Sequence, residues 1–368
     1  MKIAMIGQKG APATHGGVER HVEELGARLV QRGHEVVVFT RPNYTDSGLI
    51  SHRGMKLVSV PTLGTKHLDA IVHSLLCTMR TWFGGYDVVH YHAIGPCLVA
   101  PLARLRGRKV VATIHGQDWR RGKWGRLASM ILRLGEWSAL HVANATISVS
   151  ETLAEAYRTG GARRVEFIPN GISINEGDDP SILGELGVEA GKYILFAGRL
   201  VPEKGCHYLI DALQGVQGAL PLIVAGDSSN SDDYVARLRD QAGSETVFSG
   251  YVYGDKLAAL FRHCALFVLP SDLEGLPIVL LEALAYGAPV LASDIPPNIE
   301  VLGKNGAYFG AGSVSSLEEA LSNCLENLET MQAAAAQLRE NVIRTYDWDR
   351  VADATEALYM RVLDSGAY

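Results

Sequence analysis

Two carboxylates eight positions apart, Glu274 and Glu282, bracket the start of an apolar helical run in a chain of 368 residues. Ser271, Gly275 and Pro277 make the approach irregular, and Ile278 to Ala285 then reads as a buried helix that runs to Gly287. Glu274 thus precedes the helix and Glu282 lies inside it, separated by up to about 12 Å at helical rise. A helix N-terminus offers free N–H groups and the positive end of its dipole to a phosphate. Carboxylates on either side of it can accept hydrogen bonds from hydroxyls at both ends of a diphosphate. That suits a nucleotide-sugar, with ribose at one end and the sugar at the other. The same two residues also suit a solvated loop acid and a helix acid paired with a neighbour.

A basic cluster lies upstream. Tyr193–Gly198 is a short apolar run of the buried-strand kind, followed by Arg199-Leu-Val-Pro-Glu-Lys204-Gly205. Arg199 and Lys204 therefore project from the C-terminal end of a strand, where open α/β sheets bind ligands. Arg brings a planar fork for phosphate oxygens, and Lys a mobile point charge. Together they can neutralise a departing nucleoside diphosphate without a metal; singly, each also reads as an exposed loop cation. His115-Gly-Gln-Asp118-Trp119 likewise follows an apolar strand, so His115 and Asp118 stand at a sheet edge. Gly16 and Gly17 allow close backbone approach to a ligand at a helix start, or simply a turn. Gly7-Gln-Lys-Gly10 is not the spaced triple-glycine dinucleotide fingerprint. Asp347-Trp-Asp349 mimics an acid-x-acid metal signature, but it stands before a helix, where capping is the simpler role.

The elements that must position these residues alternate. Strands are expected at Lys2–Gly7, Glu35–Thr40, Lys56–Val60, Asp87–His92, Lys109–His115, Ala145–Val149 and Val165–Pro169. The theme repeats at Tyr193–Gly198, Pro221–Gly226, Val247–Tyr251, Leu266–Pro270 and Pro289–Ser293, mostly with helical patterns between. The first helix, from about Val18 to Arg32, has its apolar face at Val18, Val22, Leu25 and Leu29 and stops at Gly33. Alternating β and α units imply doubly wound parallel sheets covered on both faces. The chain is too long for one ordinary core and suits two domains. The acidic stretch Ile174–Glu189 reads as the linker between them.

Composition agrees with a globular enzyme: 47% hydrophobic and 20% charged, which excludes disordered and fibrous classes. Five scattered cysteines without a C-x-x-C pair suggest a reduced, cytoplasmic protein with no zinc site and no disulfide framework. Met1-Lys-Ile-Ala-Met-Ile-Gly starts a strand at once, so no signal peptide is expected, and no apolar run reaches the roughly 20 residues of a spanning helix. Charge is unevenly spread. Residues 1–175 hold 22 Lys and Arg against 12 Asp and Glu, residues 176–368 hold 12 against 28, and the net charge is −6. The basic excess concentrates in Arg104–Lys109 and in Trp119-Arg-Arg-Gly-Lys-Trp-Gly-Arg126, which runs into the apolar helical pattern Leu127–Leu134. This block fits a peripheral membrane contact, or equally a solvated face over a core helix. No nucleic-acid module is recognisable.

Both clusters, in this order, resemble the C-terminal donor site of the retaining glycosyltransferases of family 4, nucleotide-sugar enzymes of GT-B fold. Gly198-Arg199…Lys204-Gly205 is similar to that family's basic loop and Glu274…Glu282 to its paired glutamates, while Gly287-Ala-Pro-Val-Leu-Ala-Ser-Asp294 continues the likeness. Ile168-Pro-Asn-Gly171 resembles the segment closing its N-terminal domain, and Gly16-Gly17-Val-Glu-Arg-His its N-terminal glycine-rich loop. The resemblance implies two Rossmann-like domains facing across a cleft. These would be an acceptor-side domain over 1–173, a linker over 174–191, a donor domain over 192–349, and a terminal helix at 350–365 packing back on the first domain. It implies catalytic roles for His115, Arg199, Lys204 and Glu274, with His115 beside the donor sugar. Gly16, Gly17, Asp118, Gly275, Leu276, Ile278, Val279 and Glu282 would help hold the donor, Glu274 at sugar hydroxyls and Glu282 at the ribose. No cofactor or metal is expected. The partners implied are a nucleotide-sugar, UDP-linked by preference, and a lipid-linked or saccharide acceptor. Two other classes remain open at this point: a dinucleotide-dependent oxidoreductase, disfavoured by the missing fingerprint, and a non-catalytic sugar-nucleotide-binding protein, disfavoured by the intact Arg199, Lys204, Glu274 and Glu282.

Overall fold

A computed structural model describes residues 1–14, 16–46, 48–62, 69–120, 124–228 and 231–364. Part of the basic block, 121–123, lies outside the described residues. The chain forms two compact units, one of Met1–Gly171 with Trp348–Tyr368, the other of Ile172–Asp347.

The first unit is built on eight strands: β1 Lys2–Ile6, β2 Glu35–Thr40, β3 Ser51–His52, β4 Met55–Ser59, β5 Val88–His92, β6 Lys109–Ile114, β7 Ala145–Ser148 and β8 Val165–Phe167. Their order is β3-β4-β2-β1-β5-β6-β7-β8, and every pair is parallel except β3 with β4. Successive side chains of β1 enter different cores, because the strand is covered on both faces. Ile3 and Met5 pack with helix Gly17–Gln31 and helix Trp348–Asp364, whereas Ala4 and Ile6 pack with Cys77, Cys97 and Ala139 on the other side. The same alternation puts Val89 and Tyr91 of β5 in the second core. His90 and His92 therefore face the helix pair.

The second unit holds β9 Ile194–Ala197, β10 Leu222–Ala225, β11 Thr246–Gly250, β12 Leu266–Leu269, β13 Val290–Ser293 and β14 Ala307–Phe309. All are parallel, in the order β11-β10-β9-β12-β13-β14. The order reverses direction between β9 and β12, and between β1 and β5 in the first sheet. Crevices at such switch points, beyond the strands' carboxyl ends, are where doubly wound sheets bind ligands. The short strands β3 and β14 were not expected from the sequence. β3 has only two residues, and β14 sits at a sheet edge with Ala307 and Tyr308 half-buried, so neither shows a buried apolar run.

Two sequence-based assignments change in detail. The stretch 174–191 is not an open linker, because it carries helix Ser181–Glu185 with Ile182 and Leu183 buried. Arg262 donates to the carbonyls of Gly177 and Asn175, and Lys256 pairs with Glu185 at 2.7 Å. Its acids thus answer cations on helix Gly254–His263. Asp349 lies in the first turn of helix Trp348–Asp364 and accepts from Arg28 Nε at 3.1 Å, so it is an ion-pair partner of helix Gly17–Gln31. No helix among the described residues is long and apolar enough to cross a membrane.

Candidate active site

In the second unit the loops after β9 and β12 meet. Gly198, at the end of β9, has φ 152°, and a Cβ on Gly226 would lie 1.8 Å from its carbonyl oxygen, so two backbones touch where β9 and β10 end. Arg199 follows, half-buried, close enough to Tyr251 for its charge to oppose the burial that raises that phenol's pKa. The short turn Pro202–Lys204 ends at Gly205, whose φ is 69° and whose Cβ would fall 1.9 Å from the Pro270 carbonyl oxygen. Only glycine fits there. The turn is thereby pressed against the end of β12, and Asp272 N–H donates to the Glu203 carbonyl at 3.0 Å.

That contact delivers Lys204 to Glu274. Lys204 Nζ lies 2.5 Å from Glu274 Oε1, and Ser271 Oγ donates to the same oxygen at 2.7 Å. Ser271 is itself held from below: Ser293 Oγ donates to its carbonyl at 2.6 Å, and Asn298 Nδ2 to the Ser293 carbonyl at 2.9 Å. Ser271, Ser293 and Asn298 are fully buried. Sequence reasoning did not single out this support, since hydroxyls at strand ends carry no spacing signature. It also expected Lys204 and Glu274 on exposed loops. Their side chains are only 15% and 8% exposed, because each neutralises the other beside the β9–β12 switch point. An ammonium has three donors, so Lys204 keeps two for an incoming anion.

Helix Ile278–Ala285 begins directly after this loop with Pro277 at its cap, where no side chain caps it. Pro277 has no N–H, and the N–H groups of Ile278 and Val279 have no partner within the helix. Gly275 and Leu276 lead into this turn, and Glu282, four residues beyond Ile278, shares its helix face, half-buried. The second unit therefore gathers a cation, a carboxylate and a helix N-terminus within one loop cluster, with a second carboxylate one turn along.

The first unit orders its glycine loop with acids of its own helix. Glu19 Oε1 accepts from Lys9 N–H at 3.0 Å and Glu23 Oε2 from Ala13 N–H at 2.5 Å. Gly16 has φ 103°, and a Cβ there would meet Glu19 Oε2 at 2.1 Å. Its need for glycine is thus met by Glu19, with no ligand required. Gly17 opens the helix. His115 follows β6 and joins His92 of β5 and His21 of helix Gly17–Gln31: His92 Nδ1 lies 3.3 Å from His115 Nε2, and the rings of His21 and His115 pack edge-on at 4.8 Å. Burial, and then the neighbouring imidazoles, hold the His115 pKa well below its usual value. It is therefore neutral at pH 7, able to give and accept a hydrogen bond but not to neutralise phosphate. Asp118 opens the turn Asp118–Arg120, half-buried.

Similarity to known proteins follows the two units. The Glycosyltransferase Family 4 model matches residues 15–176, and the Glycosyl transferases group 1 model residues 182–343. The phosphatidyl-myo-inositol mannosyltransferase of Mycobacterium leprae is 31% identical over 378 residues, spanning 96% of this chain and 95% of its own. Glycogen synthase of Mycobacterium tuberculosis is 27% identical, over 98% of this chain and 94% of its own. Among solved structures, Anabaena HepE in complex with UDP and glucose superposes with a TM-score of 0.82 at 22% identity, over 98% of this chain and 100% of that one. The chain belongs to the family 4, group 1 glycosyltransferases and has their GT-B fold. It is a transferase enzyme.

Proposed function

We propose that this enzyme is a retaining transferase that moves a hexose or N-acetylhexosamine from a nucleotide-sugar, UDP-linked by preference, to a lipid-linked or polysaccharide acceptor. The observation that carries this reading is the Lys204–Glu274–Ser271 cluster at the β9–β12 switch point, beside the N-terminus of helix Ile278–Ala285. In it Arg199, Lys204 and the N–H groups of residues 276, 278 and 279 stabilise charge on the leaving diphosphate. Glu274 holds sugar hydroxyls, and Glu282 the ribose. By the family resemblance His115, Asp118, Gly16 and Gly17 are further donor-binding candidates, carried by the first unit. A nucleoside diphosphate leaves readily once its charge is met, so no general acid is needed. No side chain is assigned as a covalent nucleophile; the acceptor attacks on the face the diphosphate leaves.

A phosphatidyl-myo-inositol mannosyltransferase among the relatives supports a lipid-linked acceptor, and the likeness to HepE in complex with UDP and glucose supports a uridine carrier. The test is turnover across UDP- and GDP-sugars with the anomeric configuration of the product read by NMR. Transfer with retention from a UDP-hexose, unchanged by chelator, is expected. Inversion, or a strict need for Mg²⁺ or Mn²⁺, contradicts the reading.

A lipid-linked acceptor would call for contact with a membrane surface, and we propose helix Arg126–His141 as that contact. Leu127, Met130, Leu134 and Trp137 are all more than half exposed. At 100° per residue they form one stripe about 80° wide, flanked by the exposed Arg126 and Arg133. The protein is expected to sediment with anionic vesicles and to be released by salt. Arg133→Glu should weaken partitioning several-fold, on the order of 1 kcal/mol for each basic residue at such a surface. Equal binding to neutral and anionic vesicles would argue against it.

A further inference from the structure

We propose that His21, His92 and His115 form a site for a borderline transition-metal ion of the zinc class in the first unit. One ring nitrogen from each lies within 4.8 Å of the others. A tetrahedral ion with Zn–N bonds of about 2.0–2.1 Å needs ligand nitrogens about 3.3–3.4 Å apart. His92 Nδ1 and His115 Nε2 are 3.3 Å apart, so one edge of that tetrahedron is already set. His21 completes the face by closing up to about 1.5 Å.

The proton positions agree. Asn170 Oδ1 lies 2.8 Å from His21 Nδ1, and an amide oxygen only accepts, so Nδ1 carries the proton and Nε2 the lone pair. His21 Nε2 is buried and has no hydrogen-bond partner. A buried ring nitrogen left this way loses free energy unless something fills its lone pair. The Asn170–His21 pairing is also the outer arrangement that orients metal-bound histidines. On His92, Nε2 faces the Met5 sulfur at 3.3 Å, which leaves Nδ1 turned toward His115. His90 takes no part: its nitrogens meet Tyr359 Oη at 2.6 Å and Thr113 Oγ1 at 2.7 Å.

Ligand type selects the ion. Three imidazoles without a carboxylate suit Zn²⁺, Co²⁺, Ni²⁺ or Cu²⁺ and disfavour Mg²⁺, Ca²⁺ and Mn²⁺. His21 and His92 are buried and His115 is half-buried, which leaves a fourth coordination position for water on the His115 side. The ion is no part of the transfer chemistry. Its effect on turnover rests on the proposed reading, in which His115 is a donor-binding candidate: a bound ion takes the imidazole lone pair and slows transfer.

The test uses the whole chain, stripped of metal, with no sugar nucleotide present. Co²⁺ titration should give the intense visible absorption of a four-coordinate ion, saturating at one equivalent, and Zn²⁺ but not Mg²⁺ should bleach it. His21→Ala and His92→Ala should abolish this saturable step, and the milder Asn170→Ala should weaken zinc about 10–100-fold. Circular dichroism shows that each variant is folded. A six-coordinate Co²⁺ spectrum in the native protein overturns the site without recourse to any variant. So does one-equivalent binding that survives unchanged in both histidine variants. Zinc inhibition of turnover is measured separately. If binding occurs without inhibition, the site stands and the role of His115 at the donor falls.

Discussion

Glu274→Gln and Lys204→Met are each expected to lower kcat by about 10²–10³, the usual cost of losing one oriented group at a developing transition-state charge. The argument is electrostatic. Lys204 and Glu274 share one contact at 2.5 Å, and Ser271 holds the same carboxylate oxygen at 2.7 Å. The glutamine keeps an acceptor for Ser271 and removes the charge that orients Lys204 toward the leaving diphosphate. The methionine keeps the stem of Lys204 and removes its donors. With the side chains only 15% and 8% exposed, a loss of activity could also reflect local unfolding. Thermal unfolding is therefore measured alongside initial rates. A rate loss with an unchanged melting temperature supports the assignment. Near-native turnover in either variant sinks it.

Trp348→Ala should have the largest effect on stability, about 3–5 kcal/mol. Trp348 is 1% exposed in the core that joins helix Trp348–Asp364 to β1, β2 and helix Gly17–Gln31. Its ring fills the space over Gly171, where a Cβ would lie 2.5 Å from Cδ2, and it meets His21 edge-on at 5.5 Å. No neighbouring side chain can collapse into a void of that size without moving backbone. In a unit of this length the loss corresponds to a fall of about 10 °C in the unfolding of the first unit. The second unit should melt as before, so two transitions are expected to separate in calorimetry. Met360, exposed on the same helix, is the control: its alanine variant should stay within about 0.5 kcal/mol. A shift of less than 2 °C or so for Trp348→Ala would show that the helix is not an integral part of the first core.

Much of this was legible because local pattern and fold agree. Buried strands such as Tyr193–Gly198, read from apolar runs, appear as Ile194–Ala197, and the first helix, expected from about Val18, begins at Gly17. The candidate residues at the strand ends could also be named one by one. Their pairing was not. Lys204 and Glu274 are 70 positions apart and meet because β12 pairs with β9 rather than with β11, a fact of sheet order that no single segment carries. The imidazole cluster was hidden for the same reason. His21 sits in a helix, His92 ends an apolar strand, and His115 ends another, and only the order β1-β5-β6 puts them side by side. The supposed linker misled in the opposite way. Asp178 and Glu185 look like solvated acids, yet they answer Arg262, His263 and Lys256 within the second unit.

The path of the chain has a modular consequence. It leaves the first unit after Gly171 and re-enters it at Trp348, so the second unit is an insertion into a continuous parent. Both cut points are closed. Ile172 N–H donates to the Tyr346 carbonyl at 2.7 Å, and Ile172 bridges Asp347, so the insertion begins and ends at one spot. Gly171 and Trp348 likewise touch within the parent. Such a cassette can be excised, transplanted or exchanged with that of a relative without a long connector, since its two ends already meet and the parent's gap is a single turn wide.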